Sequence, residues 1–95
     1  MTKELESYLR GVIEEIKKRP PHGQASWIYL NRGQHQELKG YPVDTIVATI
    51  DSVPIFLSDD IPLDRVRYRI AGQVREEQII QSEAEVIDYS RRKDE

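Results

Sequence analysis

The 95-residue chain contains no cysteine. This absence excludes disulfides, thiolate ligands for metals and cysteine nucleophiles. Long apolar runs are missing too, since no stretch approaches the roughly 20 apolar residues that cross a bilayer as a helix. The opening stretch, "MTKELESYLRG", carries acids early and lacks the apolar segment of a signal peptide. We therefore expect a cytoplasmic protein that does not associate with membranes.

Residues that commonly carry catalysis are also few. The two histidines, His22 and His35, have no metal-ligand spacing, whereas most metal sites need three or four ligands. The chain has no glycine-rich phosphate loop and no serine in a nucleophile elbow. Four aspartates lack the spacing of a cation-binding loop and are typical of turns: Asp51, Asp59, Asp60 and Asp64. We expect a protein that is not an enzyme and that has no metal site and no cofactor.

The composition is that of a soluble folded domain. Charged residues make up 33% of the chain and apolar residues 38%, and the apolar residues are patterned. The length suits a single domain over residues 1–95 with a modest core. The net charge of −3 and the pI near 5.4 disfavour a general nucleic-acid binder, which is usually basic. A local basic patch is compatible with this balance.

Residues 3–19 have the apolar spacing of an amphipathic helix. The hydroxyl of Thr2 can cap the start of this helix, and Pro20 and Pro21 cannot continue it. The side chains expected to face the core are Leu5, Leu9, Val12, Ile13 and Ile16.

The rest of the chain, residues 26–90, is predicted to be mainly β-structure. Strands are expected at 26–31, 43–50, 53–58 and 63–71. Pro54 indicates an edge strand or the start of a strand, because proline cannot donate a ladder hydrogen bond.

Residues 77–90 satisfy neither the helical nor the strand period cleanly. We favour a strand, because "SEAEVIDYS" alternates, and we expect residues 91–95 to be a frayed tail. The predicted fold class is α+β. An N-terminal amphipathic helix would pack on a curled antiparallel sheet, or a small barrel, of about five strands.

The stretch "IPLDRVRYRI" raises the main functional question. As a strand it places Arg65, Arg67 and Arg69 on one face and the alternating apolar residues on the other. One interpretation is a structural charge ladder, in which Arg67 opposes Glu83 and Arg65 opposes Glu85 in a hairpin. The other is a phosphate-binding stripe, since the planar guanidinium matches phosphate geometry. The choice depends on the conformation of the segment that contains the two glutamates.

Aromatic residues offer a second candidate surface. Trp27 and Tyr29 share one face of their strand, opposite Ile28 and Leu30. If the aromatic face is exposed to solvent, it forms, with Arg32 nearby, a surface suited to a nucleotide. The alternative is that these rings fill the core, as most aromatic side chains of small domains do.

Two stretches together resemble the RNA cyclic group end recognition domain family, over about residues 5–75. They are "WIYLNRG" (27–33) and "IPLDRVRYRIAGQV" (61–74), after an amphipathic helix. Asp64 stands where that family has a histidine, and no tryptophan follows the valine. The matching residues are Ile28, Tyr29, Arg32, Gly33, Ile61, Pro62, Arg65, Gly72 and Val74.

The resemblance implies recognition of RNA ends that carry a cyclic phosphate, with Arg32 and Arg65 as phosphate contacts. A second resemblance involves the stretches "VPIFLSDDIPLDRVRYRI" and "SEAEVID". They are similar to the last strands of a TRAM domain, a small RNA-binding β-barrel. Both resemblances imply an RNA partner.

The first functional hypothesis is a non-catalytic RNA-binding accessory domain. Arg32, Arg65 and Arg67 would hold phosphate, and Tyr29 would stack on a base or donate a hydrogen bond. The alternative is a small protein–protein interaction module without a nucleic-acid role. An exposed strand edge at Val53–Ser58 would then pair with a partner strand or form a homodimer.

Overall fold

The structure, a computed structural model, describes residues 1–78. One helix, α1, spans Lys3–Lys17. Five strands follow: β1 (Trp27–Asn31), β2 (Ile46–Ile50), β3 (Val53–Ser58), β4 (Arg65–Ile70) and β5 (Gln73–Gln78). Two short 3-10 helices, Arg32–Gln34 and Gln36–Gly40, lie between β1 and β2. Of the strand predicted at 77–90, residues 79–90 lie outside the described residues, as does the predicted tail 91–95.

The helix begins where the sequence predicts. The Thr2 hydroxyl accepts a hydrogen bond from the Leu5 N–H at 3.2 Å, which satisfies one of the free donors of the first turn. The helix ends at Lys17, short of the predicted limit at residue 19. All five side chains expected to face the core are buried: Leu5, Leu9, Val12, Ile13 and Ile16. Within residues 1–78, no helix is long and apolar enough to cross a membrane.

The strands form one sheet in the order β2-β3-β1-β4-β5. The α+β class is confirmed, but the sheet is mixed and open, not antiparallel throughout and not closed into a barrel. β1 and β3 pair in parallel, with Ile28 beside Ile55, whereas the other neighbouring strands are antiparallel. The parallel pairing follows from the path of the chain. The connection after β1 leads to the sheet edge, where β2 runs in the opposite direction to β1. A tight turn then leads into β3, which runs parallel to β1.

β3 is not the edge strand that the sequence suggested. It lies inside the sheet, between β2 and β1. Pro54 is the second residue of β3, and the register with β1 begins only at Ile55. Its missing N–H therefore fits a strand start, the other position that the sequence allowed. The edge strands of the described sheet are β2 and β5.

Two-residue turns close both hairpins of the sheet. Asp51 and Ser52 join β2 to β3 with φ angles of 52° and 68°. Ala71 and Gly72 join β4 to β5 with φ angles of 51° and 76°. Positive φ at both central residues is the type I′ arrangement, whose twist matches that of paired strands. The partner strand of β4 therefore starts at Gln73, directly after the turn.

α1 covers one face of the sheet. Its buried side chains form one core with alternate residues of the strands. The residues on this inner face include Ile28, Leu30, Val53, Ile55, Leu57, Val66, Tyr68 and Ile70. The opposite face, here named the open face, is half-buried or exposed throughout. Its central residues are Trp27, Tyr29, Phe56, Arg65, Arg67 and Arg69.

Glu77 connects Tyr68, within the β4–β5 hairpin, to Arg19, which follows α1. The buried Tyr68 hydroxyl donates to Glu77 Oε1 at 2.7 Å, and Arg19 Nε lies 3.1 Å from the same oxygen. Burial first, and then the hydrogen bond to Glu77, raise the pKa of Tyr68 to about 12. The protonated phenol is therefore part of the native packing.

We expect Tyr68→Phe to lower the free energy of unfolding by about 1 kcal/mol, because one buried hydrogen bond is lost while the ring stays. The effect should depend on pH. Folding raises the pKa of Tyr68, so its contribution is complete below about pH 10 and is lost as the pH rises toward about 12.

Urea unfolding of both proteins between about pH 8 and about pH 12 measures this contribution. The wild type should lose more stability than Tyr68→Phe over that range. Tyr29→Phe, which removes a hydroxyl from the open face, is the matched control and should follow the wild type. Parallel pH profiles for wild type and Tyr68→Phe would contradict the assigned role.

Candidate functional site

The alternation of β4 agrees with the sequence prediction. Arg65, Arg67 and Arg69 lie on the open face, while the three residues between and after them are buried against α1. Arg65 and Arg69 are exposed, and the Arg67 side chain is 33% exposed. Strand geometry alone produces this division, since successive side chains point to opposite faces.

A single row of side chains crosses the open face through all five strands. The registers connect Ile46 to Phe56, Phe56 to Tyr29, Tyr29 to Arg67 and Arg67 to Glu76. The row passes from an apolar margin, where Ile46 is 55% exposed, through two rings to a charged pair. The aromatic and basic parts of the surface are therefore direct neighbours.

Three rings occupy the centre of the open face, and we name Trp27, Tyr29 and Phe56 the aromatic trio. Tyr29 and Phe56 stack, with ring centroids 4.9 Å apart and planes inclined by 14°. Trp27 and Tyr29 meet edge to face, with centroids 5.3 Å apart. All three side chains are half-buried, so part of each remains accessible. The trio lies outside the core, which is the condition that a nucleotide-binding surface requires.

Arg67 is held by carboxylates. Its Nε and Nη2 both donate to Glu76 Oε1, at 3.1 and 2.9 Å, and its Nη1 lies 3.7 Å from Asp60 Oδ2. The Ser58 hydroxyl donates to Asp60 and keeps the pKa of that carboxyl below its usual range, and the charge of Arg67 lowers the pKa further. Arg67 therefore belongs to a charge ladder in which Glu76 faces it across the β4–β5 hairpin, and the predicted partner Glu83 lies outside the described residues.

The ladder does not extend to the other two arginines. Across the β4–β5 hairpin, Arg65 faces Gln78 and Arg69 faces Val74, neither of which is charged. Within residues 1–78, the side chains of Arg65 and Arg69 form no ion pair. The predicted Glu85 partner of Arg65 lies outside the described residues. Two guanidinium groups of the open face thus remain without a carboxylate in the described part of the chain.

Arg32 lies at the end of β1 and has a different environment. Its Nε and Nη2 donate to the two carboxylate oxygens of Asp59, at 3.0 and 2.7 Å, and its Nη1 donates to the Tyr41 carbonyl. The hydrogen bond from Arg32 keeps the pKa of Asp59 below its usual range, and the pKa of Arg32 is raised in turn. Arg32 thus fastens the ends of β1 and β3 to the loop at Tyr41.

The four residues proposed from the sequence therefore separate into two groups. Tyr29, Arg65 and Arg67 lie together on the open face, whereas Arg32 is engaged by Asp59. Sequence reasoning did not include Phe56 or Arg69 in the site. Arg69 shared the predicted face of β4 and could have been included, but Phe56 reaches Tyr29 only through the parallel register.

The two histidines have structural contacts. His35 Nδ1 accepts a hydrogen bond from the Glu37 N–H at 3.2 Å and so caps a 3-10 helix, and its ring packs on Tyr8. His22 Nδ1 lies 3.1 Å from the Lys17 carbonyl. Among residues 1–78, no group of three or more histidine and acidic side chains is arranged to hold a metal ion.

Comparison with known proteins finds no match for this chain among family models, curated proteins or solved structures. The resemblance in the two short motifs therefore remains a prediction from the sequence. The function has to be argued from the open face itself.

We expect Asp59→Asn to lower the thermal midpoint at neutral pH by a few degrees at most, because the Arg32 ion pair is partly exposed. Folding lowers the pKa of Asp59. Its contribution is therefore present above the unfolded pKa of about 3.9 and disappears as the pH falls through the folded value. The difference between wild type and variant should narrow on acidification.

Thermal unfolding followed by circular dichroism at neutral and acidic pH measures this difference. Asp64→Asn is the matched control, because Asp64 is exposed and forms no ion pair within residues 1–78. It should leave the neutral midpoint unchanged. If the thermal midpoints of wild type and Asp59→Asn differ by the same amount at strongly acidic pH, the charge of Asp59 is not responsible for that difference.

Proposed function

We propose that the chain is a non-catalytic RNA-binding accessory domain that holds the RNA backbone on its open face. The proposal rests on the surroundings of the Arg65 and Arg69 side chains. Both are exposed, share one face of β4 and have no carboxylate partner within residues 1–78. A guanidinium that is free of carboxylates can bind phosphate without first losing an ion pair.

The local charge supports an anionic ligand despite the acidic net charge. Three arginines share the open face of β4, while the facing side of β5 provides one acid, Glu76, with Gln78 and Val74. Asp60 reaches this surface at one end, where Arg67 is the one arginine of β4 that it contacts within residues 1–78. Among residues 1–78, arginines therefore outnumber carboxylates on this part of the surface, and phosphate affinity depends on the local charge more than on net charge.

The roles differ from those that the resemblance implies. Arg65 and Arg69 would contact phosphate directly, and Tyr29 would contact the adjoining nucleotide. Arg67, oriented by Glu76, would contribute a weaker phosphate contact. Arg32 would act by positioning, since its guanidinium already binds Asp59 at both carboxylate oxygens. This arrangement does not require a catalytic group.

The double variant Arg65→Ala/Arg69→Ala should weaken binding to a short labelled single-stranded RNA. Each lost phosphate contact should also reduce the slope of log K against log salt by about 0.7, since fewer counterions are released. Fluorescence anisotropy at several salt concentrations between about 50 and 200 mM measures both quantities. RNAs ending in a cyclic phosphate, a phosphate or a hydroxyl test whether the end matters.

Arg10→Ala is the matched control for this experiment. Arg10 lies on α1, away from the open face, and pairs with Glu6 at 3.0 Å. The control should retain both the affinity and the salt slope of the wild type. Absence of salt-sensitive binding to every RNA at tens of micromolar protein would overturn the proposed function.

One observation favours a protein-interaction module as the second candidate. The edge strand β2, "IVATI", carries no charged residue, whereas the opposite edge strand contains Arg75, Glu76 and Glu77. Edge strands without charges pair readily with a strand from another chain. A homodimer through β2 would be the simplest product, since an uncharged strand meets no like charge in its own copy.

If β2 forms a homodimer, Thr49→Lys should shift the chain toward monomer, because it places two like charges across the interface. Gln73→Lys, on the opposite edge strand, should not. Light scattering coupled to size-exclusion chromatography over a range of concentrations measures the mass. A wild-type chain that is monomeric at all concentrations would exclude the homodimer through β2.

A further inference from the structure

The aromatic trio indicates which part of an RNA the open face would contact. We propose that the trio seats unpaired bases, so that the RNA is a single strand bound at internal nucleotides through base faces. This inference rests on the proposed RNA-binding function. It goes further in two ways. It names the structural class of the RNA, and it assigns the selection of that RNA to the aromatic rings and not to contacts with an end phosphate.

The first argument is the shape of the ring cluster. Tyr29 and Phe56 are nearly parallel, at 14°, and 4.9 Å apart, so they already form the beginning of a stack on the sheet surface. Trp27 adds a third ring beside them. A base can extend such a stack, whereas a paired base within a duplex presents only its edges to a protein. The rings therefore select unpaired nucleotides.

The second argument is the position of the rings relative to Arg65 and Arg69. Arg65 and Arg69 are four residues apart on β4, a separation of about 13 Å along the strand. Trp27 lies directly opposite Arg69, and Tyr29 opposite Arg67, on the neighbouring strand. A backbone that follows β4 would thus have its phosphates at the arginines and its bases over the trio. An RNA that makes these contacts at both arginines must contain more than one nucleotide.

The third argument concerns the end-phosphate alternative. Recognition of a terminal phosphate by Arg32 and Arg65 requires both guanidinium groups to be free. Arg32 instead donates to both carboxylate oxygens of Asp59. The pair expected from the motifs is therefore incomplete. The rings, by contrast, lie on one continuous surface with Arg65 and Arg69, which have no carboxylate partner within residues 1–78. An internal segment of a single-stranded RNA is the ligand that would contact the three rings and both arginines together.

Trp27 is the only tryptophan in the chain, so its fluorescence reports on the open face directly. The full-length protein would be titrated with four probes of equal length. They are a single-stranded RNA, the same strand with abasic residues, the strand paired with its complement, and the strand carrying a cyclic phosphate end. We expect the single strand to quench Trp27 and to bind at least about 5-fold more tightly than the abasic strand and the duplex. The cyclic end should add nothing.

A variant with a matched control tests the rings themselves. Phe56→Leu removes a ring while keeping an apolar side chain, and should weaken binding to the base-bearing strand by about 5-fold or more while leaving the abasic strand unaffected. The matched control is Tyr68→Phe, which changes a tyrosine on the buried face of the sheet and should retain the wild-type preference. If Phe56→Leu does not fold, as judged by circular dichroism, the probe series with the wild type still decides.

The outcomes separate this inference from the proposed function. Equal affinity for base-bearing, abasic and paired strands, lost in Arg65→Ala/Arg69→Ala, would leave an RNA-binding domain and overturn the role of the rings. A preference confined to the cyclic end would likewise overturn it. No binding to any RNA would overturn both the inference and the proposed function.

Discussion

The parallel pairing of β1 with β3 is the constraint on which the rest of the structure depends. It aligns Ile28 with Ile55 under α1 and, one residue further along, Tyr29 with Phe56 on the open face. Parallel neighbours cannot be joined by a tight turn, and the connection needs a dozen or more residues. The chain supplies it with two 3-10 helices, anchored by the buried side chain of Leu38, and the β2 hairpin. The same register therefore builds the core and the ring cluster.

In a chain with net charge −3, the placement of the carboxylates decides which arginines are paired. Carboxylates neutralise two of the arginines near the open face, Arg32 through Asp59 and Arg67 through Glu76. Both pairs fasten neighbouring segments together. Arg65 and Arg69 face uncharged residues of β5 instead. Local pairing, and not the overall balance of charges, thus separates the arginines that stabilise the sheet from those that have no carboxylate partner within residues 1–78.

Part of this site could be predicted from the sequence, because the two-residue period of a strand is a local property. The two-residue period placed the arginines of β4 on one face of their strand and placed Trp27 with Tyr29 on one face of β1. The period could not show that these two faces belong to the same surface, since their alignment depends on the antiparallel register of β1 and β4. The sequence also could not show that Arg32 binds a carboxylate, because its partner Asp59 lies 27 residues away in the chain.

Local patterns in the sequence were enough to predict the helix, its cap and its buried stripe, the positions of most strands and the α+β class. Each of these follows from spacing or from a turn within a few residues, and such interactions form wherever the segment lies in space. The strand order, the parallel pair and the edge strands depend instead on how the strands pack together. This packing also decides which arginines receive a carboxylate and which ring stacks on Tyr29. These features join residues that are distant in the chain, and their energies arise only once the strands have packed together.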